Sequence, residues 1–399
     1  MPKRPMPQTE FIAMMAMLFA IVSFSIDGML PALPRIAAEL TPGDVNRAQL
    51  VVTSFVLGMG IGTLFAGPIS DTVGRKPAIL GGVAIYALSA AAAAMAPSLG
   101  ILLAARVLQG LGSAGPRIVT LAMVRDLHAG RQMARIVSFA MMIFTLVPAV
   151  APSVGTLIIA AFGWRGIFGA LILFSCIAAA WMTSRQPETL PRERRRPLRL
   201  APLLDAAREV VSHRTVMTAI ATQTLVYGAL FASLSSEQQI FDITYHRGES
   251  FPLWFAAIAL TAGAASLLNA TLVVRLGMRR LTTVALGAQT VFSVLMLMLT
   301  AGNLMPAWLD FPAYLLWTTG IFFMTSLTLG NLNALALEPL GHIAGMAASV
   351  SGALATVLAV LIAAPVGLAF DGTAVPLMAA ISGLCGLGLL LMKTLPRHA

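Results

Sequence analysis

Runs of roughly 20 to 30 apolar residues, parted by short polar links, repeat along this whole chain, and a bilayer is the solvent such a pattern suits. A hydrocarbon core about 30 Å thick asks for about 20 helical residues, because every backbone amide must find its partner inside the segment. Charged residues make up only 11% of the 399, too few to coat a water-soluble globule of this size. The runs predict twelve spans. Six precede a long polar link: Phe11–Leu33, Val45–Ile69, Pro77–Met95, Gly100–Val124, Ile136–Phe162 and Ile167–Thr183. Six follow it: Val216–Ser236, Pro252–Val274, Leu281–Ala301, Pro312–Leu335, Met346–Phe370 and Val375–Met392. The link, residues 185–214, divides the chain into an N-terminal bundle (1–184) and a C-terminal bundle (215–399), a six-plus-six repeat. The first span is too long for a cleaved leader, and no small-residue cleavage site precedes the next span.

The net charge of +10 is distributed as a membrane protein requires rather than as a nucleic-acid binder would have it. With a cytoplasmic N-terminus, Lys3, Arg4, Arg75, Lys76, Arg125, Arg131, Arg135, eight arginines of the link, Arg275, Arg279, Arg280, Lys393 and Arg397 share one side, 20 of the 26 basic residues. The Arg192–Arg196 run is a topology determinant, and it also suits anionic lipid headgroups. The two cysteines, Cys176 and Cys385, fall in apolar spans, and all five histidines, including His398, fall in links or the tail. Neither a phosphate-binding loop nor a nucleophile–base motif is present, which argues against an ATP-driven pump and against an enzyme. No cofactor or metal is expected.

Ionisable residues within spans carry the functional signal, because burying a charge there is costly. Asp27 lies past the middle of the first span, with Ser23 and Pro31 on the same helical face. Burial favours its neutral form and a nearby arginine its charged form, the tension a proton switch needs; a structural helix-end carboxylate is the other reading. Arg106 and Arg117 are eleven residues apart, which on a continuous α-helix puts them on one face about 16 Å apart along the axis. Gln109, Gly110 and Ser113 lie close to that face, which should line a cavity or pack on the first helix. Arg117 reads equally as a snorkelling residue or as a contact for an anionic substrate. In the seventh span Gln223, Tyr227, Leu230, Leu234 and Glu237 recur near helical spacing. Glu237, at the outer end, reads as a second proton or cation site or as a hydrated gate residue. Methionines such as Met14, Met15, Met17, Met141 and Met142 suit an adaptable cavity wall.

The link between spans two and three reads Gly67-Pro68-Ile69-Ser70-Asp71-Thr72-Val73-Gly74-Arg75-Lys76. It resembles the loop signature of the major facilitator superfamily, Gly-x-x-x-Asp-Arg-x-Gly-Arg-Arg, at Gly67, Asp71, Gly74, Arg75 and Lys76, with Thr72 in place of the first basic residue. Ile26-Asp27-Gly28-Met29-Leu30-Pro31 and Arg106-Val107-Leu108-Gln109-Gly110 are similar to signatures of its bicyclomycin and chloramphenicol resistance (Bcr/CflA) exporters. So are Arg125-Asp126-Leu127 and Gly163-Trp164-Arg165. Pro152 and Gly155 match part of the antiporter motif Gly-x-x-x-Gly-Pro-x-x-Gly-Gly, with Val147, Ala151 and Thr156 replacing three of its glycines. In the second half Arg275-Leu276-Gly277-Met278-Arg279-Arg280 echoes the loop signature, with Val274 where the acid would stand.

The resemblance implies an all-α major facilitator fold of twelve transmembrane helices in two six-helix bundles. It implies drug:proton antiport by alternating access across a bacterial inner membrane, with both termini cytoplasmic. Asp27, Arg106 and Glu237 are then the expected proton-coupling groups, and Asp27, Arg106, Gln109, Ser113, Arg117, Gln223 and Tyr227 the expected substrate cavity. The Gly67–Lys76 residues become a conformational latch. The implied partners are a small-molecule substrate, protons and membrane lipids, with the carrier a monomer. Two rivals stand beside this reading: a carrier for a small anionic metabolite, with Arg106 and Arg117 as its clamp, and a non-transporting membrane sensor.

Overall fold

Backbone amides in hydrocarbon have no water to turn to, and the chain answers by being helical almost throughout. The computed structural model of the protein describes residues 6–197 and 200–395, with side chains except at 134, 141–145 and 200. Lys3, Arg4, Arg199, Arg397, His398 and the Met141 and Met142 side chains therefore lie outside the described residues. Among the described residues fifteen α-helices follow in order. They are α1 (Gln8–Asp27), α2 (Leu33–Leu40), α3 (Leu50–Val73), α4 (Arg75–Ala94), α5 (Leu99–Ala114), α6 (Thr120–Leu127), α7 (Gly130–Phe162) and α8 (Arg165–Arg185), then α9 (Leu200–Ser212), α10 (Arg214–Gln239), α11 (Phe251–Leu276), α12 (Met278–Ala301), α13 (Ala307–Leu337), α14 (Ala344–Leu368) and α15 (Val375–Thr394).

Among the described residues ten stretches are long and apolar enough to cross a membrane. The longest, Ala307–Leu368, holds two helices, α13 and α14, parted by a non-helical turn at Leu340, and the apolar part of α7, Leu146–Phe162, is shorter. Large apolar side chains face outward while a few polar and charged ones are enclosed, the reverse of a water-soluble globule. Leu88, Leu157, Leu253 and Val291 are more than two-thirds exposed, while Arg106, Gln109 and Glu237 are completely enclosed.

The chain forms two compact units, one of residues 1–42 and 54–202, the other of 43–53 and 203–399. In the first, α4 packs on α5 and α8, and α1 packs on α7 and α8. In the second, α10 is central, against α13, α14 and α15, and α12 packs on α13 and α15. Close helix crossings in the first unit run through glycine: a Cβ on Gly110 of α5 would sit 1.9 Å from the Phe55 carbonyl oxygen of α3. The loop signature and its echo form the same turn. Gly74, between α3 and α4, has φ +107°, and Gly277, between α11 and α12, has φ +77°, a region that favours glycine.

Two expectations are corrected here. The first span is not one uninterrupted helix to Leu33: α1 ends at Asp27, and a 3₁₀ turn, Leu30–Ala32, leads into α2. Pro31 and Pro34 lack the amide hydrogens a continuous helix would use, so Asp27 stands at a helix end, with Pro31 beyond the break. The fourth span is not a continuous α-helix either, because Gly115–Val119 forms a π-helical turn between α5 and α6. Pro116 inside that turn cannot donate to the preceding turn of helix, and the wider turn changes the register between Arg106 and Arg117.

Candidate functional site

In the first unit the last turn of α1 gathers the polar groups. Asp27 is buried, and the Ser23 hydroxyl one turn earlier donates to its Oδ2 at 2.6 Å. The Ser25 hydroxyl shares a 2.5 Å hydrogen bond with the buried Tyr86 hydroxyl of α4. Arg106 of α5 is enclosed on all sides, and polar and aromatic neighbours receive its charge. Its guanidinium donates to the Ser25 carbonyl at 3.0 Å and to Gln109 Oε1 at 2.8 Å, and it lies 4.4 Å from the centroid of the Phe55 ring. No ion pair joins Asp27 to Arg106 among the described residues. The arginine instead binds the backbone carbonyl two residues before the carboxylate.

The antiporter-motif helix closes on the same place. Gly155 of α7 packs against Gly28, and a Cβ there would lie 2.3 Å from the Gly28 carbonyl oxygen, one residue past Asp27. Pro152 is buried one turn earlier, and its carbonyl accepts from the Thr156 hydroxyl at 3.0 Å. Gln109 and Ser113 are buried on α5, whereas Arg117, inside the π-turn, is half-buried and donates to Met59 Sδ at 3.6 Å. The two arginines therefore stand in different surroundings. Sequence spacing alone missed Ser25 and Tyr86, since an isolated serine and tyrosine in apolar spans carry no pattern.

The loop after α3 is a polar cluster in the same unit. Arg75 donates to Asp71 at 2.5 Å, to Ser70 at 2.8 Å and, through Nε, to Asp126 at 2.9 Å. Ser70 in turn donates to the Gly67 carbonyl at 2.8 Å, and Lys76 Nζ to the Thr183 carbonyl at 2.8 Å. Glu188 was not visible as part of this motif, because it lies more than a hundred residues downstream in the basic link. Its carboxylate accepts from the first two amides of α4, Arg75 at 2.9 Å and Lys76 at 3.1 Å, and from its own neighbours Thr189 and Leu190. A carboxylate at a helix N-terminus meets both the free amides and the positive end of the helix dipole. Replacing Glu188 by Ala should therefore lower the stability of the purified protein by about 1 kcal/mol, as loss of a helix cap does, measured by thermal unfolding in detergent. An unchanged unfolding curve would mean water replaces the carboxylate without cost.

In the second unit Glu237 is fully enclosed near the end of α10, so the hydrated-gate reading does not fit. Its Oε1 accepts a hydrogen bond from the Thr318 hydroxyl of α13, and it interacts with the buried Tyr314 of the same helix. Gln223 is buried with its Oε1 unpartnered, and Tyr227 stacks on Phe231 with ring centroids 5.5 Å apart. Thr318 and Tyr314 could not be tied to Glu237 from sequence, since about eighty residues separate them.

Comparison with known proteins identifies the family. The sequence model of the Major Facilitator Superfamily matches residues 14–364. A bicyclomycin resistance protein homolog of Haemophilus influenzae is 33% identical over 294 residues, covering 73% of each chain. The multidrug resistance protein MdtL of Salmonella heidelberg is 29% identical over 329 residues, covering 82% of this chain and 80% of that one. Among solved structures, the xylose transporter XylE of E. coli, in a partially occluded inward-open conformation, superposes with a TM-score of 0.73 at 12% identity, over 98% of both chains. With the loop cluster, the glycine crossing beside a buried carboxylate and the matched length in agreement, the chain belongs to the Major Facilitator Superfamily, and it is a multi-pass membrane transporter rather than an enzyme.

Proposed function

We propose that this transporter expels drug-like small molecules in exchange for protons, by alternating access. One observation carries the reading: a buried carboxylate, Asp27, at a helix end that the antiporter-motif glycine Gly155 approaches closely. A carboxylate so enclosed is tolerated when protonated or when a bound cation compensates it, which makes proton and cationic drug alternatives. Arg106, bound to the Ser25 carbonyl, transmits between that turn and the polar face of α5. The names of the resistance relatives support a drug as cargo. In this reading the chain crosses a bacterial inner membrane twelve times as a monomer, with both termini cytoplasmic and the Asp71–Arg75 cluster as latch.

The anion-carrier reading draws no support from the arginines, which the π-turn at Gly115–Val119 sets in different surroundings. The discriminating experiment is transport in proteoliposomes of cationic, neutral and anionic compounds against an imposed pH gradient. Accumulation of cationic or neutral compounds that collapses with the gradient is the expected result. Uptake of anions alone, or flux indifferent to the gradient, would overturn the proposal.

A further inference from the structure

At the end of the second unit that carries the loops 240–250 and 302–306, a line of hydroxyl and carboxyl groups leads inward to Glu237. Glu237 Oε2 and the Tyr314 hydroxyl are both enclosed, and neither has a hydrogen-bond partner of normal geometry, although the two side chains interact. The Tyr314 ring packs on the Tyr245 ring with centroids 5.0 Å apart, and those side chains interact as well. The Tyr245 hydroxyl then donates to Asp310 Oδ1 at 3.3 Å. Asp310 is half-buried, so the line ends where water can reach.

Around these groups the packing is aromatic. Phe241 lies edge-on to Phe251, Phe311 and Tyr314, with centroids 5.3 to 6.0 Å apart. A closely packed aromatic shell leaves no room for a drug, but it insulates a proton path from lateral water. The other ionisable groups of the surrounding elements do not interrupt the line. On the π-turn after α10, Asp242 is exposed, and Arg247 lies over the outer face of Phe311 at 4.4 Å. Helix α14 has no ionisable residue, and α15 has only Cys385 and Lys393, neither of them a partner of Glu237.

We infer that Glu237 is a second proton-exchange site, loaded and emptied through Tyr314 and Tyr245 by way of Asp310. The step conserves protons. Protonated Glu237 gives its proton to the Tyr314 oxygen while that hydroxyl releases its own to Tyr245. Tyr245 passes one to the Asp310 carboxylate, which releases it to water, and Glu237 is left ionised. Burial, and after it the Asp310 carboxylate, hold the Tyr245 phenol above its ordinary pKa, so it relays a proton without resting as a phenolate. The inference rests on the reading that this carrier exchanges protons, but its site is separate from Asp27.

The test needs no substrate. In the purified full-length protein, the infrared carbonyl band of a buried protonated carboxyl is followed after transfer to deuterated water. One such band should vanish in Glu237→Gln. In Tyr245→Phe and Asp310→Asn the band should persist, but its deuterium shift should slow about 100-fold, the low end of what a positioned acid or base contributes to proton transfer. Asp27→Asn should leave this band and its exchange unchanged, so the two readings fail separately. Absence of any band removed by Glu237→Gln, or exchange at the parent rate in both relay variants, would overturn the inference.

Discussion

Asp27→Asn should abolish uphill drug transport driven by a pH gradient, bringing accumulation in proteoliposomes down to that of protein-free vesicles. The amide keeps the shape of the side chain and still accepts from Ser23, whose hydroxyl lies 2.6 Å from Oδ2, so the helix end should hold. What it loses is the ability to alternate between charged and neutral. A carrier fixed in the neutral state cannot exchange its proton for a drug, although it can still move substrate down a gradient. In the parent, drug and proton compete, so binding of a cationic drug weakens as the pH falls; in the variant binding becomes insensitive to pH. Arg106→Lys is the informative companion. A lysine cannot reproduce the two-armed hold on the Ser25 carbonyl and Gln109, so the pH profile should move without vanishing. Normal uphill pumping by Asp27→Asn would place the coupling site elsewhere.

Gly155→Val should come close to the same loss of transport by a different route. The glycine lets α7 approach α1 so closely that any Cβ would sit 2.3 Å from the Gly28 carbonyl oxygen, and backbone offers no flexible end to give way. The helices must separate where Asp27 ends α1, and overpacking of this kind costs about 1–3 kcal/mol. Gly155→Ala should show a smaller loss in both stability and flux. Gly169→Ala serves as the control, because nothing lies within 4 Å of the Cβ it would add. Thermal unfolding in detergent and flux in proteoliposomes measure the two consequences. Parent-like behaviour of Gly155→Val would mean α7 does not set the position of Asp27.

The helical runs were legible from apolar periodicity, because a bilayer allows few ways to satisfy a backbone, and the major facilitator fold from the resemblance of the Gly67–Lys76 loop to that family's signature. The loop cluster was half legible. Gly74 and Arg75 stand in a local motif, but Asp126 and Glu188, which complete it, come from distant links that only the fold brings together. The break after Asp27 and the π-turn at Gly115–Val119 were signalled by Pro31, Pro34 and Pro116, yet apolar runs continue straight through both, so hydropathy hides them. That is why the helix end at Asp27 went unseen and why Arg106 and Arg117 read as one face. Glu237 drew notice as an acid in an apolar helix, whereas its tyrosine and threonine partners on α13 carried no pattern at all.

Proton release on drug binding tests the central claim most directly. A cationic substrate is added to the purified carrier in weakly buffered detergent solution near neutral pH, and the pH of the medium is followed. The account predicts that the parent releases protons as the drug displaces them, and that Asp27→Asn binds the drug and releases none from that site. Equal release from both proteins, or drug binding by the parent with no change in the medium, would contradict it.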